Sequence, residues 1–321
     1  MQEPVDAVIT WVDGNDPAHA AKLAAYLRSE GISRPQSAAP TRYNQCGELD
    51  FCVRALLQFA PWIRTIYIVT DGQVPAIMQQ LLNTVYEKKI KLIDHRQIFA
   101  GFESCLPTFN SLTIETVLWR IPGLANQFIY LNDDCIMIRP VVYTDFFRGE
   151  SLVVRGCWKK RCQKKIGSVL RKWLGFKPPK VAEHRLLQEK SAQMAGFASH
   201  FFDLPHVPFP LHKTTMAAFF RQYPHYLCEN VNYALRDRQQ FWTISLALHL
   251  DINDKKVIYD ESLAAIMVNG GHHPLQKIKY RLAQADKQGK VAFICMQSID
   301  AAPEATQKFM LEWLNKRINA L

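Results

Sequence analysis

The stretch Phe128 to Asp134, FIYLNDD, decides the fold because a short apolar run is followed at once by three polar residues. Phe, Ile and Tyr favour β-strands, and an apolar run of this length is typical of a buried strand. Three similar runs, each followed by an aspartate, are Val5 to Val12 before Asp13, Ile66 to Thr70 before Asp71, and Ile90 to Ile93 before Asp94. The pattern predicts several buried strands that each end in an acidic residue.

Helical patterns lie between these strands. Glu48 to Phe59 has apolar residues at helical spacing and is followed by Pro61, which stops a helix. A second helix is expected after Asn110 and Ser111 and before Pro122. Alternating strands and helices predict an α/β, Rossmann-like fold with a mostly parallel sheet and helices on both faces. Ligands bind beyond the carboxyl ends of the strands in such sheets, so we expect the acidic strand ends to converge on one site.

The domain organisation is interpreted from length and composition. A hydrophobic content of 48% and a charged content of 21% exclude a disordered chain, and 321 residues can bury a large core. We expect one domain with a core over 1–150, a basic insertion over 151–200, and a part over 201–321 that completes the site. Helical spacing in that last part predicts helices over Thr215 to Arg221, over Phe241 to Leu250, and around Met310 and Trp313 at the end.

The basic insertion accounts for the charge of the chain. The formal net charge is +10, and residues 151–180 hold ten Lys or Arg and no Asp or Glu. Apolar residues recur there at helical spacing: Ile166, Val169, Leu170, Trp173 and Leu174. Such a helix can contact an anionic membrane surface or a polyanionic acceptor through 155–180, or it can pack on the core like any other helix. Nucleic acid is not expected, since no nucleic-acid motif accompanies the patch.

The N-terminus and the cysteines bear on location. The first residues lack the basic start and apolar segment of a secretory signal, and no apolar run approaches the roughly 20 residues that cross a bilayer. The eight cysteines include no CxxC pair, so we interpret them as reduced thiols, and those near the motifs as packed apolar residues. The sequence predicts a cytoplasmic protein, either soluble or attached peripherally to the inner face of the cytoplasmic membrane.

The acidic pair Asp133 and Asp134 suggests a metal site. Two carboxylates directly after a buried strand raise each other's pKa unless a cation or solvent compensates their charge. Mg²⁺ or Mn²⁺ would do so, with water and phosphate oxygens completing the coordination. A turn with two solvated aspartates is an equal alternative on this pattern alone.

Four blocks of the sequence resemble the Stealth family. They are DAVITWVDGNDP at 6–17; RYNQCGEL, APWIRTIYIVTDGQVP and LIDHRQIF within 42–99; LPTFNSLTIETVLWRIPGLANQFIYLNDD at 106–134; and HVPFPLHK at 206–213 with NYALRDRQQF at 232–241. The blocks agree with the family in order and spacing as well as in content. The resemblance covers most of the core and two later segments.

The resemblance implies a GT-A-type catalytic domain whose core, 1–150, binds a nucleotide sugar. Such a protein transfers a hexose-1-phosphate from a UDP-sugar to a glycan hydroxyl, forming a phosphodiester and releasing UMP. Bacterial members build capsules and other surface polysaccharides, and N-acetylglucosamine-1-phosphate is the default group by family frequency. The implied partners are a UDP-sugar donor and a glycan or polysaccharide acceptor.

Matching positions imply the catalytic roles. Asp133 and Asp134 correspond to the family's acidic pair, which implies the metal site, with Asp133 also catalytic. His206 corresponds to a histidine that can take the proton of the acceptor, and Arg236 to an arginine that can stabilise charge on the phosphoryl group. Arg54 corresponds to a phosphate-binding arginine, although its place on a helix by itself favours an ion pair with the residue four positions earlier.

The resemblance also implies five donor-binding residues: Asp13, Asp16, Asp71, Asn110 and Asn132. The family accepts Asn at the positions of Asp13 and Asp71, so a hydrogen-bonding side chain matters there more than a charge. Asp16, Asn110 and Asn132, together with Glu115, have helix capping or turn formation as the alternative role.

Two other functions stay open at this point. An ordinary GT-A glycosyltransferase would release UDP, because the acceptor would attack the anomeric carbon. A non-catalytic polyanion-binding or assembly protein would depend on the basic insertion and would keep its function without Asp133 and His206.

Overall fold

The computed structural model describes residues 3–162 and 183–319. The strands are β1 (Val5–Thr10), β2 (Ile66–Thr70), β3 (Ile90–Asp94), β4 (Gln127–Asn132), β5 (Cys135–Met137), β6 (Phe147–Arg148), β7 (Ser151–Val154), β8 (Cys157–Lys160), β9 (His200–Asp203), β10 (Phe209–His212), β11 (Val257–Tyr259), β12 (Ala264–Asn269) and β13 (Val291–Gln297). The helices are α1 (Pro17–Ser29), α2 (Glu48–Phe59), α3 (Ile77–Gln80), α4 (His95–Ile98), α5 (Ser111–Thr116), α6 (Glu183–Met194), α7 (Lys213–Gln222), α8 (Pro224–Val231), α9 (Thr243–Asn253), α10 (Leu275–Lys287) and α11 (Glu304–Asn315).

The central sheet has five strands in the order β10-β4-β1-β2-β3. Strands β1 to β4 run parallel, and β10 joins the edge antiparallel to β4. The residues of β1, β2 and β4 are almost all buried, as their continuous apolar runs predict. The predicted α/β fold with a mostly parallel sheet is confirmed.

The register of the sheet brings the carboxyl ends of its parallel strands to one edge. Thr10 lies opposite Asn132 of β4, and Thr70 lies opposite Asp94 of β3. The residues that follow β1, β2, β3 and β4 therefore leave the sheet on the same side. This edge is where a ligand site is expected in a parallel sheet.

The predicted helices are present with some changed boundaries. Helix α2 spans the predicted range, and Arg54 and Gln58, which lie on the predicted polar side, are two of its three partly buried residues. Helix α5 ends at Thr116, whereas the pattern predicted a helix up to Pro122. The Thr116 hydroxyl donates to the carbonyl of Leu112, a bond that competes with helix continuation, and a short 3₁₀ turn follows over Leu118–Arg120.

Three small sheets surround the central one. Their strand orders are β11-β7-β6, β12-β13-β5 and β8-β9. Strand β5 follows the acidic turn directly and pairs antiparallel with β13, so residues 291–297 lie behind that turn. The helices predicted in the last third correspond to α7, α9 and α11, each with shifted ends.

The predicted amphipathic helix of the basic insertion lies outside the described residues. Within the part of the chain that the structure describes, no helix has the length and apolar character needed to cross a membrane. All eight cysteines are free thiols. Burial raises the pKa of Cys52 and of Cys135 well above the usual thiol range, so both are packed apolar side chains, as predicted, and not nucleophiles.

Candidate functional site

A cleft of about 520 Å³ opens at the carboxyl edge of the central sheet. Six of the residues singled out from the sequence line it: Asp71, Asn132, Asp133, Asp134, His206 and Arg236. They come from the ends of β2 and β4, from the loop before β10, and from the segment before α9. The fold therefore brings together residues that are up to 165 positions apart in the sequence.

Three carboxylates form one wall of the cleft. Asp133 and Asp134 occupy the turn after β4, and Glu48 is the first residue of α2. The Asp133 carboxylate accepts from the backbone N–H of Asp134 over 3.1 Å, and the Glu48 carboxylate accepts from the backbone N–H of Cys46. One carboxylate oxygen of Asp134, Oδ1, is buried and has no hydrogen-bond partner.

The electrostatics of this wall favour an added positive charge. Burial raises the pKa of Asp133 well above its usual range, and the charges of Asp134 and Glu48 raise it further. Burial also raises the pKa of Asp134, an effect that His206 opposes. For Glu48 burial is again the main cause of a raised pKa, with Asp134 and Asp300 adding to it. Neighbouring negative charges in a buried site raise the free energy of the folded protein unless a cation compensates them.

The donor set fits a hard divalent ion. Carboxylate oxygens are the ligands that Mg²⁺ and Mn²⁺ prefer, and such ions commonly take one or two carboxylates plus water and phosphate oxygens. Among residues 3–162 and 183–319 there is no group of three or more His, Cys, Asp or Glu that could hold a metal ion. The wall can therefore supply part of a coordination shell that a phosphate ligand would complete.

A histidine pair and an arginine lie in the same cleft. The rings of His206 and His184 stack with their centroids 5.1 Å apart. Burial lowers the pKa of His184 to about 4, and the charges of His206 and Arg236 lower it further. His184 is thus neutral at ordinary pH. Its ring packs against the Trp242 ring, with the two centroids 4.8 Å apart.

Arg236 and Asn132 are held by side chains behind the cleft. Arg236 donates through Nη2 to the Ser111 hydroxyl over 2.7 Å. The Tyr130 hydroxyl lies 2.8 Å from Asn132 Oδ1 and 2.9 Å from the buried carboxylate of Glu115. The Trp242 indole N–H donates to the other Glu115 oxygen over 2.6 Å. Glu115 therefore supports the cleft from inside the core.

Four predicted residues lie outside the cleft lining. Asp16 caps α1 by accepting from the Ala18 N–H. The side-chain amide of Gln73 donates to the Asp16 carboxylate and to the backbone carbonyl of Asp13. The Asp13 carboxylate accepts from the backbone N–H of Asn15. These bonds tie the loops after β1 and β2 to each other. Asp16 therefore caps a helix, which is the alternative role expected for it, and Asp13 makes bonds within the turn that follows β1.

Asn110 and Arg54 also have local partners. Asn110 is fully buried, caps α5 through the Leu112 N–H, and donates to Gln240. Arg54 donates to the Asp50 carbonyl over 3.2 Å, and its guanidinium lies 4.7 Å from the centre of the Phe51 ring. The structure does not bring Arg54 to the cleft, because α2 turns this side chain toward its own first turn. The acidic strand end Asp94 likewise pairs locally, with Arg96.

Several cleft residues were not singled out from the sequence. Glu48, Arg42 and His184 line the cleft but lie far from the acidic pair along the chain. Asp300 accepts from Thr41 over 2.9 Å and from Asn44 over 3.0 Å, and so fixes the 40–44 loop as one rim. The block RYNQCGEL contained the signal for Arg42 and Glu48, since it carries two charged residues ahead of an apolar helix. His184 lies within the predicted basic insertion, 151–200, and had no such signal.

Two family models match the chain. Residues 3–31 match Stealth protein CR1, conserved region 1, and residues 42–154 match Stealth protein CR2, conserved region 2. The chain thus contains conserved regions 1 and 2 of Stealth proteins. The matched residues include Asp71, Asp133 and Asp134 and exclude His206 and Arg236.

Curated relatives of this chain are named as polysaccharide phosphotransferases. One exopolysaccharide phosphotransferase of Streptomyces coelicolor is 45% identical over 144 residues, covering 45% of this chain and 23% of its own. Another from the same organism is 36% identical over 251 residues, covering 77% of this chain and 25% of its own. The capsular polysaccharide phosphotransferase WcwK of Streptococcus pneumoniae is 36% identical over 148 residues, with coverage of 46% and 42%. The matched part thus spans about a quarter to two fifths of these relatives' length.

Solved structures that align with this chain include glycosyltransferases. The galactosyltransferase LgtC aligns over 98% of this chain and 97% of its own, with a TM-score of 0.44 and 11% identity. Mouse xyloside xylosyltransferase 1 aligns over 91% and 97%, with a TM-score of 0.41 and 10% identity.

Proposed function

We propose that this protein transfers a sugar-1-phosphate from a UDP-sugar to a glycan hydroxyl in the synthesis of a capsule or another surface polysaccharide. N-acetylglucosamine-1-phosphate is the proposed group. The observation that carries the proposal is that one cleft is lined by the acidic pair Asp133 and Asp134, by His206 and by Arg236. The names of the relatives, phosphotransferases of exopolysaccharide and capsule, support the same reaction class.

In the proposed reaction the acceptor oxygen attacks the β-phosphorus of the donor. The new bond joins that oxygen to phosphorus, and the bond between phosphorus and the bridging oxygen breaks, so that UMP leaves with the electron pair. His206 takes the acceptor proton. Arg236, anchored on Ser111, neutralises charge on the phosphoryl oxygens, as does Arg42 on the facing rim.

A divalent cation, Mg²⁺ or Mn²⁺, is the proposed cofactor. Asp133 and Asp134 would hold it, with Glu48 beside them. When bound, such an ion neutralises negative charge on the pyrophosphate. The unpartnered Oδ1 of Asp134 and the raised pKa values of the three carboxyl groups support this assignment.

A donor radiolabelled at the β-phosphorus tests the reaction. Transfer of sugar-1-phosphate carries the label into the glycan, whereas an ordinary glycosyltransferase leaves the label on the nucleotide. The variant combining Asp133→Asn with His206→Ala should transfer no label while remaining folded, as a cooperative thermal unfolding transition would show. Retained biological function in that folded variant would favour a non-catalytic polyanion-binding protein.

We further propose that the basic insertion makes peripheral contact with an anionic membrane surface. Within its described part, strand β8 has Trp158, Lys159 and Lys160 on the surface, and Trp158 is 42% exposed. An exposed indole next to basic side chains suits the boundary of an anionic bilayer. Sedimentation with phosphatidylserine vesicles, and release by salt, tests this contact. Equal binding to uncharged phosphatidylcholine vesicles would contradict it.

A further inference from the structure

Another group of residues that line the cleft contains buried polar atoms without partners. They are Trp11 Nε1, both ring nitrogens of His19, His95 Nδ1 and Thr108 Oγ1, and all four residues line the cleft. Each of these side chains is more than nine-tenths buried. A buried polar group without a hydrogen bond costs about 1–3 kcal/mol, so this concentration indicates a ligand that completes the bonds.

The two histidines come from the ends of different strands. His19 lies in the first turn of α1, after β1, and His95 is the first residue of α4, directly after β3. Asp71 follows β2, which lies between β1 and β3 in the sheet, and Lys22 donates to it over 2.7 Å. We call His19, His95, Asp71 and Lys22 the histidine subsite.

The charge of the histidine subsite disfavours a phosphate. Burial lowers the pKa of His95 to about 4, and Asp71 and Asp94 only partly oppose it. Burial is also the main cause of a lowered pKa at His19. Both imidazoles are therefore neutral at ordinary pH, and the nearby Lys22 is already paired with Asp71.

Neutral imidazoles have the hydrogen-bonding capacity that an uncharged heterocycle requires. Each ring offers one N–H donor and one lone-pair acceptor, and which nitrogen carries the proton can adapt to the ligand. His19 is held in place by aromatic neighbours, with ring centroids 5.3 Å from Tyr43 and 5.4 Å from Phe109. A rigid, neutral pair of donors and acceptors beside aromatic rings suits a planar base with alternating carbonyl and N–H groups.

We propose that His19 and His95 bind the uridine of the donor, with hydrogen bonds to the uncharged edges of the base and ribose. The inference rests on the proposed function, in which the donor is a UDP-sugar. It deepens that function by dividing the cleft: the acidic wall takes the pyrophosphate, and the histidine subsite takes the nucleoside. Asp71, one of the five donor-binding residues that the resemblance implies, lies in the nucleoside part.

The His19→Phe substitution tests the proposal. Phe keeps the aromatic packing against Tyr43 and Phe109 but removes both unpartnered nitrogens. Calorimetry should show UMP binding weakened by about tenfold or more, the loss expected for missing hydrogen bonds, with the affinity for inorganic pyrophosphate and Mg²⁺ unchanged. The matched control His225→Phe alters an exposed histidine outside the cleft and should leave both affinities unchanged.

A measurement on the unaltered protein guards against a misfolded variant. The imidazole nitrogen signals of His19 and His95 in NMR spectra should shift when UMP is added and stay in place when pyrophosphate is added. If UMP binds but neither signal moves, the histidine subsite does not hold uridine, and the proposed function stands. If the unaltered protein binds pyrophosphate but no uracil nucleotide, both the inference and the UDP-sugar donor fail.

Discussion

Glu115 shows how a single buried residue makes stability depend on pH. Burial raises its pKa to about 7 from an ordinary value of 4.5, although Arg236 and hydrogen bonds from Tyr130 and Trp242 oppose part of the rise. The folded chain therefore holds this proton more tightly than the unfolded chain. The resulting stabilisation is complete below about pH 4.5 and is lost as the pH rises through about 7.

The Glu115→Gln variant is expected to lack this pH dependence. Gln can accept from the Trp242 indole and donate to the Tyr130 hydroxyl, as the protonated acid does. Relative to this variant, the unaltered protein should lose free energy of unfolding on the order of 3 kcal/mol from about pH 4.5 to above about pH 7. Urea unfolding of both proteins at several pH values measures the difference. A difference that stays constant over that range would show that Glu115 does not titrate there.

Asp134→Asn should have opposite effects with and without metal. Without a divalent ion the variant relieves repulsion among the buried carboxylates, so its thermal unfolding temperature should rise. With Mg²⁺ the unaltered protein should gain stability and the variant should gain none, and transfer should fall by about 100-fold or more. Thermal unfolding with Mg²⁺ and with a chelator measures both effects. The control is Asp94→Asn, which lies at the same sheet edge but is paired with Arg96. If Mg²⁺ stabilises the Asp134→Asn variant as much as the unaltered protein, Asp134 does not hold the metal.

At the scale of elements, the loop after β1 depends on a glycine that touches the cleft rim. A side-chain carbon at Gly14 would lie 2.7 Å from the Tyr43 Cβ and 2.8 Å from its carbonyl carbon. The Gly14 N–H also donates to the Tyr43 carbonyl over 2.7 Å. Any larger residue must therefore displace the loop that carries Arg42 and Tyr43.

Gly14→Ala is expected to lower the free energy of unfolding by about 1–3 kcal/mol and to reduce donor affinity. The matched control is Gly289→Ala, since a side-chain carbon there would meet nothing within 4 Å. Chemical unfolding and UMP binding of the two variants provide the comparison. If Gly14→Ala behaves like the control, the close approach to Tyr43 does not constrain the rim.

The elements predicted best from the sequence are those whose buried residues form a recognisable local pattern, either an apolar run or apolar residues at helical spacing. The apolar runs of β1, β2 and β4 and the spacing in α2 are recognisable without tertiary information, and all four are present. The end of α5 was predicted too late, because the bond from Thr116 to Leu112 is a side-chain effect that apolar spacing does not reveal. Strand β10 contains Pro210, which a strand pattern disfavours, and it is tolerated at the edge of the sheet.

Only the part of the candidate site that local sequence patterns mark was predicted. Residues at strand ends, such as Asp71 and the acidic pair, follow from the rule that parallel strands share a carboxyl edge. Asp300 reaches the cleft only through folding of a distant segment, and no local pattern marks it. Arg54 was predicted from its matching position, but the direction of its side chain depends on its contacts with Asp50 and Phe51 in the same helix.

At the scale of the whole molecule, the cleft joins the first 140 residues to the last half of the chain. Asp133 and Asp134 come from the matched Stealth region, whereas His206 and Arg236 come from segments beyond it. His206→Ala should therefore reduce transfer by about 10²–10⁴-fold and leave donor affinity and folding almost unchanged. Single-turnover rates and UMP affinity separate these effects. Loss of UMP binding in the folded variant would instead make His206 a binding residue.

The nucleotide product tests the central claim most directly. The purified protein is incubated with UDP-N-acetylglucosamine, Mg²⁺ and an acceptor oligosaccharide, and the released nucleotide is identified by chromatography together with the phosphorus NMR spectrum of the glycan. Phosphorus transfer predicts UMP in equal amount to a new phosphodiester signal. UDP as the sole nucleotide product, with no phosphorus in the glycan, would contradict it.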